Sequence, residues 1–171
     1  MLNIIPHYFG TKILNRIEPE ISHAIALCYL RLLNQFVKKR KISNPMLKTK
    51  ICGMEVPSPI GLAAGFDKNA EVFNATLSLG FGFVEVGTIT PDPQFGNPKP
   101  RLFKIPEEEA LINRMGFNNK GMLYVSKIAG KPKLGVVGVN IGANAKSINK
   151  ILDYTNIFEF IAHLFDYVTI N

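Results

Sequence analysis

Small residues and one cation stand together in the segment GLAAGFDKNAE, residues 61–71. Ala63, Ala64 and Gly65 carry almost no side chain, and Lys68 follows them within the same segment. A backbone without bulk lets a flat ligand lie against it, and a lysine ammonium can pair with a carboxylate at the edge of that ligand. The segment therefore predicts a binding site for a flat, anionic ring.

Polar side chains suited to such a ring follow apolar runs at four points along the chain. An asparagine carries a donor and an acceptor on one planar head, so several amides around a cavity match a ring whose edge alternates C=O and N–H. Ligands of parallel sheets bind beyond the carboxyl ends of the strands, so these side chains are expected to converge on one mouth. The candidates are Gly65, Phe66, Asp67, Lys68, Thr88, Asn113, Arg114, Asn140, Asn144 and Asn171.

Each of these features also has a purely structural explanation. Small residues at the end of a strand often serve close packing of helix on strand, and Lys68 beside Asp67 is often a solvated pair. A lone asparagine after a strand often caps a turn or a helix. Their joint occurrence at corresponding ends of four strands is what favours a binding site.

Other chemistries find no support in the sequence. A phosphate loop needs a lysine directly after its second glycine, and residues 61–68 do not have that order. The segment FGFVEVG, residues 81–87, is typical of a strand interior and not of the start of a helix, so it predicts no dinucleotide site. His7, His23 and His163 stand apart from one another, so neither a metal site nor a hydrolytic triad is predicted.

Helix-like segments separate four apolar runs in the second part of the chain. The runs cover residues 60–64, 81–87, 134–142 and 167–171, and the helix-like segments cover residues 70–80, 120–130 and 157–165. This alternation, with strands that are apolar throughout, predicts an α/β fold with a parallel sheet covered on both faces. One helix per strand favours a (β/α) barrel or a doubly wound sheet. Ahead of these runs, residues 51–57 predict a hairpin that turns at Gly53.

The number of strands limits the architecture. A (β/α)8 barrel takes about 250 residues, whereas this chain has 171 residues and room for four strands. The residues therefore predict half a barrel, with a short doubly wound sheet as the alternative. The last strand, residues 167–171, would leave an apolar edge with unpaired backbone groups unless another chain covers it.

The N-terminal part of the chain has a different character. Residues 21–37 form the longest apolar stretch, and the basic cluster Lys38–Lys41 follows it directly. A helix of this length that contains His23 and Arg31 is too short and too polar to span a bilayer. It is predicted to lie on a surface, either packed on the domain with a solvated basic end or between the protein and an anionic membrane.

The charge and the cysteine content limit which classes of binding partner and which cellular compartment the sequence predicts. The net charge of +7 comes from residues 1–50, because residues 51–171 hold eleven basic and eleven acidic side chains. Nucleic acid is not a favoured partner, since no aromatic side chains alternate with the basic cluster. Cys28 and Cys52 are predicted to be free thiols that pack in the core of a protein in a reducing compartment, and no cleavable signal is visible.

Four stretches of the sequence together resemble one enzyme family. They are GLAAGFDKNAE, GFGFVEVGTITPDPQFGNPKPRLFKIPEEEALINRMGFNN, GVNIGAN and YVTIN, in this order. The chain resembles the membrane-associated, quinone-dependent class of dihydroorotate dehydrogenase. The resemblance implies the first half of a (β/α)8 TIM-type barrel in residues 51–171. It also implies that residues 1–50 form a helical extension that docks on the membrane and frames the quinone tunnel.

The resemblance also implies an activity and its site residues. The activity is oxidation of dihydroorotate to orotate in pyrimidine synthesis, with FMN as cofactor, a quinone as final acceptor, and a peripheral location on the cytoplasmic side of the inner membrane. The implied FMN contacts are Ala64, Gly65, Phe66, Asp67, Lys68, Thr88, Asn140 and Asn171. The implied contacts to substrate are Lys68, Asn113, Arg114, Met115, Gly116, Phe117 and Asn171.

The chain departs from the family pattern in three places. Lys104 stands where the family has an arginine near the quinone, which keeps the charge but loses the planar fork. Ala145 follows Asn144 where a basic residue is usual. The family's catalytic serine and late phosphate-binding loops correspond to positions beyond Asn171. The resemblance therefore implies part of the substrate site and part of the flavin site without the general base. The residues leave open a truncated or split product, a fragment that pairs with a separate C-terminal half, a piece of a longer sequence, and an inactive, membrane-adhering remnant.

Overall fold

The computed structural model of this chain describes residues 17–36 and 45–171. The basic cluster Lys38–Lys41 and His7 lie outside the described residues, so the structure does not address the predictions made for them. The α-helices are α1 (Pro19–Asn34), α2 (Phe73–Ser78), α3 (Met122–Ala129) and α4 (Lys150–Ile161), and short 3-10 turns cover Pro45–Leu47, Pro106–Glu108 and Ala162–Leu164. The strands are β1 (Thr49–Ile51), β2 (Met54–Val56), β3 (Gly61–Leu62), β4 (Phe83–Ile89), β5 (Leu102–Ile105), β6 (Ala110–Asn113), β7 (Val136–Ile141) and β8 (Tyr167–Ile170).

Four parallel strands form the central sheet, in the order β3-β4-β7-β8. One helix connects each strand to the next, with α2, α3 and α4 in the three crossovers. The prediction of four parallel strands is thereby confirmed. Neighbouring strands keep their chain order across the sheet, as in a barrel, whereas a doubly wound sheet reverses its order at the switch point. The fold is a partial barrel, and the doubly wound alternative is excluded.

The two faces of this sheet carry different side chains. Val84 and Val86 on β4, and Val137 and Val139 on β7, are fully buried on the face that packs against the helices. The alternate positions, such as Glu85, point to the inner face of the partial barrel, where β4 pairs with β7. Hydrophobic burial on the outer face thus fixes which residues of each strand face inward.

Two antiparallel hairpins accompany the sheet, and one of them was not predicted. The predicted hairpin is confirmed as β1–β2, with Cys52 and Gly53 both at positive φ in its two-residue turn. The second hairpin, β5–β6, lies between the second and third predicted strands, in a segment to which the sequence assigned no strand. A 3-10 turn with Glu109 in the left-handed region connects its strands, and the polar composition of this turn resembles that of a loop.

Two further predictions need correction. Helix α4 starts at Lys150 and not at residue 157, because the side chain of Asn149 caps it by accepting a hydrogen bond of 3.1 Å from the Leu152 N–H. The cysteines Cys28 and Cys52 are both exposed, so the prediction that they pack in the core was wrong.

The N-terminal helix α1 lies against the outside of the partial barrel. Glu18 caps its start by accepting a 2.8 Å hydrogen bond from the Ile21 N–H. Leu30 is buried against Val72 and Ala75. The opposite side exposes an apolar stripe, which consists of Ile21, Ile25, Tyr29, Leu32 and Phe36. Within residues 17–36 and 45–171, no helix has the combined length and apolar character that crossing a membrane requires.

Candidate functional site

A cavity of about 760 Å³ opens at the carboxyl ends of the parallel strands. Its walls are the ends of the sheet, the start of α1 and the hairpin β5–β6. The predicted site residues that line it are Ala64, Gly65, Phe66, Lys68, Thr88, Asn113, Met115, Gly116, Phe117, Asn140 and Asn171. Asp67 and Arg114 do not line it.

Lys68 and Gly65 form the part of the wall that follows β3. The Lys68 ammonium donates a 2.5 Å hydrogen bond to the Gly65 carbonyl oxygen. Gly65 has φ +106°, and a Cβ added to it would meet no atom within 4 Å. The wall is therefore flat and unobstructed at this point. Burial lowers the pKa of Lys68 and the charge of Glu20 opposes that effect, so Lys68 places a partly desolvated cation in the cavity wall.

Asp67 is a structural residue beneath this wall. It is 1% exposed, and its two carboxylate oxygens accept hydrogen bonds of 2.8 Å from the N–H groups of Glu71 and Val72. Burial raises the pKa of Asp67, and these two hydrogen bonds act in the opposite direction. The alternative prediction, that Asp67 and Lys68 form a solvated ion pair, is therefore wrong.

Three predicted residues, on β4, on β7 and directly after β8, meet in one hydrogen-bond network. The Thr88 hydroxyl donates to the Asn140 side-chain oxygen at 2.6 Å. The Asn171 side-chain nitrogen lies 3.0 Å from the Thr88 oxygen and 3.1 Å from the Asn140 oxygen, and donates to both. Thr88 and Asn140 are buried. The sheet thus brings together at one point polar side chains that lie far apart in the sequence.

Glu85 belongs to the same network but was not among the predicted residues. Its carboxylate accepts hydrogen bonds from the Asn140 side-chain nitrogen at 3.0 Å and from the Thr169 hydroxyl at 2.8 Å. Burial, and then the charge and hydrogen bond of Glu85, raise the pKa of Tyr167 far above its usual value. The strict alternation of residues along β4 could have identified Glu85 as inward-facing.

The hairpin contributes the opposite wall of the cavity. Asn113, the last residue of β6, lies across from Leu102 in the pairing of the two strands. Lys104 also lines the cavity, and its ammonium donates a 2.9 Å hydrogen bond to the Ile17 carbonyl oxygen. Arg114 instead donates to the Pro100 carbonyl oxygen at 3.2 Å, with its guanidinium 5.9 Å from the centre of the Phe103 ring.

The start of α1 adds His23, which the sequence did not identify as a site residue. Its Nε2 lies 2.7 Å from the Phe66 carbonyl oxygen, and its ring meets the Phe66 ring edge-on at 5.2 Å. Burial and then the charge of Lys68 lower the pKa of His23, so the imidazole is neutral at pH 7. An isolated histidine in a helix carries no sequence signal for this contact, which spans 43 residues.

Asn144 does not join the cavity that the other asparagines line. Its backbone N–H donates to Asp153 at 2.9 Å, and its side-chain nitrogen donates to the Gln94 side-chain oxygen at 3.0 Å. These contacts lie in a separate cavity of about 800 Å³ beside α4. Asn144 therefore fixes the loop after β7, as the structural explanation of a strand-end asparagine predicts.

Comparison with known proteins identifies the family. Residues 46–171 match the family Dihydroorotate dehydrogenase. The chain belongs to this family. The dihydroorotate dehydrogenase (quinone) of Rhodopseudomonas palustris strain HaA2 is 47% identical over 165 residues, and that of Bartonella henselae is 47% identical over 164 residues. Both alignments cover 95% of this chain, but only 45% and 44% of the two relatives.

Solved structures give the same result for the fold. The crystal structure of DHODH from Eimeria tenella in complex with ferulenol superposes with a TM-score of 0.81 at 38% identity. The superposition covers 90% of this chain and 43% of that one. The ligand-free structure from the same organism gives a TM-score of 0.80. The chain thus spans about half the length of the family members it matches.

Proposed function

We propose that this chain supplies one half of the active site of a quinone-dependent dihydroorotate dehydrogenase, which oxidises dihydroorotate to orotate. The observation that carries the proposal is the cavity at the strand ends, where polar residues from four separate segments meet. The family relationship names the reaction, and the amide-rich, cationic lining of the cavity suits a pyrimidine carboxylate. The remaining part of the site would come from a C-terminal half of the family's barrel.

FMN is the cofactor that we propose for this cavity. When bound, FMN would supply the two-electron chemistry that amino-acid side chains lack. The segment Ala64–Lys68, with Thr88, Asn140 and Asn171, would hold its ring system. The flat wall at Gly65 and the buried amide network support this proposal, because both suit a planar ring with alternating donors and acceptors.

The substrate would lie on the side of Lys68 and the hairpin. The Lys68 ammonium is the cation that would pair with the substrate carboxylate, and Asn113 would bond the ring from the opposite wall. The backbone of Met115, Gly116 and Phe117 would close this side. Arg114 and Asp67 would act indirectly, since their side chains bond to the protein itself.

Residues 1–50 are proposed to form one helical unit that docks on the membrane. The apolar stripe of α1 supports this, because it is exposed while the opposite side of the helix packs on the barrel. A peripheral location on the cytoplasmic side of the inner membrane would bring the cavity mouth near lipid-dissolved quinone. The boundary at residue 50 falls within β1, so the proposed unit is tied to the barrel by a hairpin.

Complementation tests the proposed function. Residues 1–171 would be purified alone and together with the C-terminal half of the Rhodopseudomonas palustris relative, and retained FMN and dihydroorotate-dependent quinone reduction would be measured. We expect activity only in the mixture. Asn140→Ala should lose FMN, while Asn156→Ala, on the exposed side of α4, should retain it. No activity in the mixture, when the relative's own N-terminal half restores it, would reject the proposal.

A further inference from the structure

Glu85 is a carboxylate on the inner face of the partial barrel with neutral partners. Among the described residues, its hydrogen bonds come from the amide of Asn140 and the hydroxyls of Thr169 and Tyr167. Glu85 is half-buried in the wall of the cavity, and these hydrogen bonds replace part of the water that its carboxylate loses there. Its contacts are directed into the network of amides and hydroxyls, which indicates a specific role for the charge.

The residues beside Glu85 on the neighbouring strands bring a tyrosine hydroxyl to its carboxylate. Glu85 lies beside Gly138 in the pairing of β4 with β7, and Gly138 lies beside Tyr167 in the pairing of β7 with β8. A Cβ at position 138 would come within 2.1 Å of the Tyr167 ring. The missing side chain at Gly138 therefore lets the Tyr167 ring cross β7 and bring its hydroxyl to Glu85.

The carboxylate determines which way each amide of the network points. An ionised carboxylate only accepts hydrogen bonds, so the nitrogen of Asn140 must face Glu85 and its oxygen must face Thr88 and Asn171. The Thr88 hydroxyl then donates to Asn140, and its oxygen accepts from Asn171. The two acceptor oxygens, on Thr88 and Asn140, lie only 2.6 Å apart, so one N–H group of Asn171 is shared between them. The side-chain oxygen of Asn171 points away from the network and is left for a ligand.

We propose that Glu85 is a positioning residue: its carboxylate fixes the amide orientation of Asn140, and through Thr88 it makes Asn171 present an oxygen to the cavity. The ligand edge selected in this way is one that donates N–H groups, such as the imide of a flavin or a pyrimidine. Only the identity of that ligand rests on the function proposed above. The orientation of the amides follows from the network itself.

A double substitution tests the orientation in the 171-residue chain alone. Asn140→Asp places two carboxylates side by side and should lower the melting temperature by about 5–10 °C. Adding Glu85→Gln should recover at least half of this loss, because the new amide at position 85 can donate to the new carboxylate at position 140. That carboxylate still accepts from Thr88 and Asn171.

A matched control separates this rescue from a simple change of net charge. Asn144→Asp with Glu85→Gln has the same net charge, but Asn144 lies outside the network, so Glu85→Gln should give no recovery there. Equal recovery in both pairs, or no recovery in the first, would overturn the positioning role.

Ligand binding then tests the polarity presented by Asn171. In the mixture with the relative's C-terminal half, Glu85→Gln alone should weaken FMN binding about tenfold while the melting temperature changes little, because an amide at position 85 no longer fixes Asn140 in one orientation. Unchanged FMN affinity would overturn the link to Asn171. If the unsubstituted mixture binds no FMN, the proposed function fails, and the rescue of melting temperature still decides the role of Glu85.

Discussion

The two walls of the cavity are stabilised in different ways. The wall at the sheet ends consists of side chains that bond to one another inside the barrel, with Thr88 and Asn140 buried. The wall formed by α1 is attached by ion pairs near its two ends, from Glu20 to Arg101 at 2.5 Å and from Arg31 to Glu71. One wall is therefore held by its own hydrogen-bond network, and the other by the packing of Leu30 and by ion pairs near the ends of the helix.

This difference suggests separate roles for the two walls. A buried network with fixed donors and acceptors sets the polarity that a ligand meets, because its side chains cannot reorient without losing hydrogen bonds. Exposed ion pairs are weaker and are screened by salt, and of the two pairs that attach α1 the one between Arg31 and Glu71 has the more exposed cation. We expect the wall at the sheet ends to determine which ring binds, and the helical wall to respond to the membrane and to solution conditions.

The largest expected effect is on stability, and it concerns Asp67, whose buried carboxylate supports the wall at the sheet ends. Asp67→Ala should lower the free energy of unfolding by about 2–4 kcal/mol, because two backbone N–H groups would lose their buried acceptor. Urea unfolding followed by circular dichroism measures it. Asp67→Asn keeps one acceptor oxygen and should cost clearly less. A loss below about 1 kcal/mol for the alanine variant would show that this wall does not depend on the anchor.

The next effect concerns ligand binding at the same wall. Lys68→Ala, in the mixture with the relative's C-terminal half, should raise the apparent dihydroorotate constant about tenfold or more, because it removes a charge-assisted contact worth about 1.5–3 kcal/mol. Asn113→Ala should act in the same direction but less. The control is Lys127→Ala, on the exposed side of α3. Unchanged saturation with Lys68→Ala would remove this lysine from the proposed substrate site.

The sequence predicted the wall at the sheet ends far better than the helical wall. The valine-rich apolar runs of β4 and β7 identify strands of a parallel sheet, and parallel strands bring their carboxyl ends together. The sequence alone could therefore place Thr88, Asn140 and Asn171 near one another. Glu85 was missed because a single charge in an apolar run carries little weight, although its position in the alternation was informative.

The helical wall could not be predicted because its contacts join distant parts of the chain. The ion pair between Glu20 and Arg101 spans 81 residues, and the contact of His23 with Phe66 spans 43. Periodicity and capping are local signals and do not show where a helix docks. The hairpin β5–β6 was missed for a related reason, since cross-strand pairing and not local composition stabilises it.

A smaller effect, on stability and its pH dependence, concerns the ion pair that attaches the end of α1. Burial acts to raise the pKa of Glu71, but hydrogen bonds from Lys120, Tyr124 and Arg31 outweigh it and hold that pKa below its usual 4.5. A lowered pKa in the folded state means that the stabilising contribution is present above pH 4.5 and is lost as the pH falls through the folded-state pKa.

Glu71→Gln should therefore cost about 1 kcal/mol at pH 7 and less at pH 3, a modest value because solvent screens the partly exposed Arg31 and Lys120. Unfolding in urea at both pH values measures it. Glu55→Gln breaks the exposed pair with Lys48 and should change stability by less than about 0.5 kcal/mol. The same cost for Glu71→Gln at both pH values would contradict a role for its charge.

The smallest effect on stability is expected in the apolar stripe of α1. Leu32 is 60% exposed and Ile25 is 46% exposed. Replacing both with glutamine should change the free energy of unfolding by less than about 0.5 kcal/mol per site, because neither side chain is buried by the protein. The same double variant should sediment less with anionic vesicles if the stripe enters the lipid interface, since membrane affinity scales with the apolar area inserted.

The matched control on the other side of the helix is Leu30→Ala, since Leu30 is 5% exposed. It should cost about 2–4 kcal/mol of stability yet leave the affinity of the folded protein for vesicles unchanged, because the stripe itself stays intact.

Deletion of residues 1–41 should abolish sedimentation, and salt should weaken it for the intact chain through screening of the basic cluster. If the double glutamine variant sediments as fully as the intact chain, the stripe is not the membrane contact. The helical wall would then serve only to enclose the cavity.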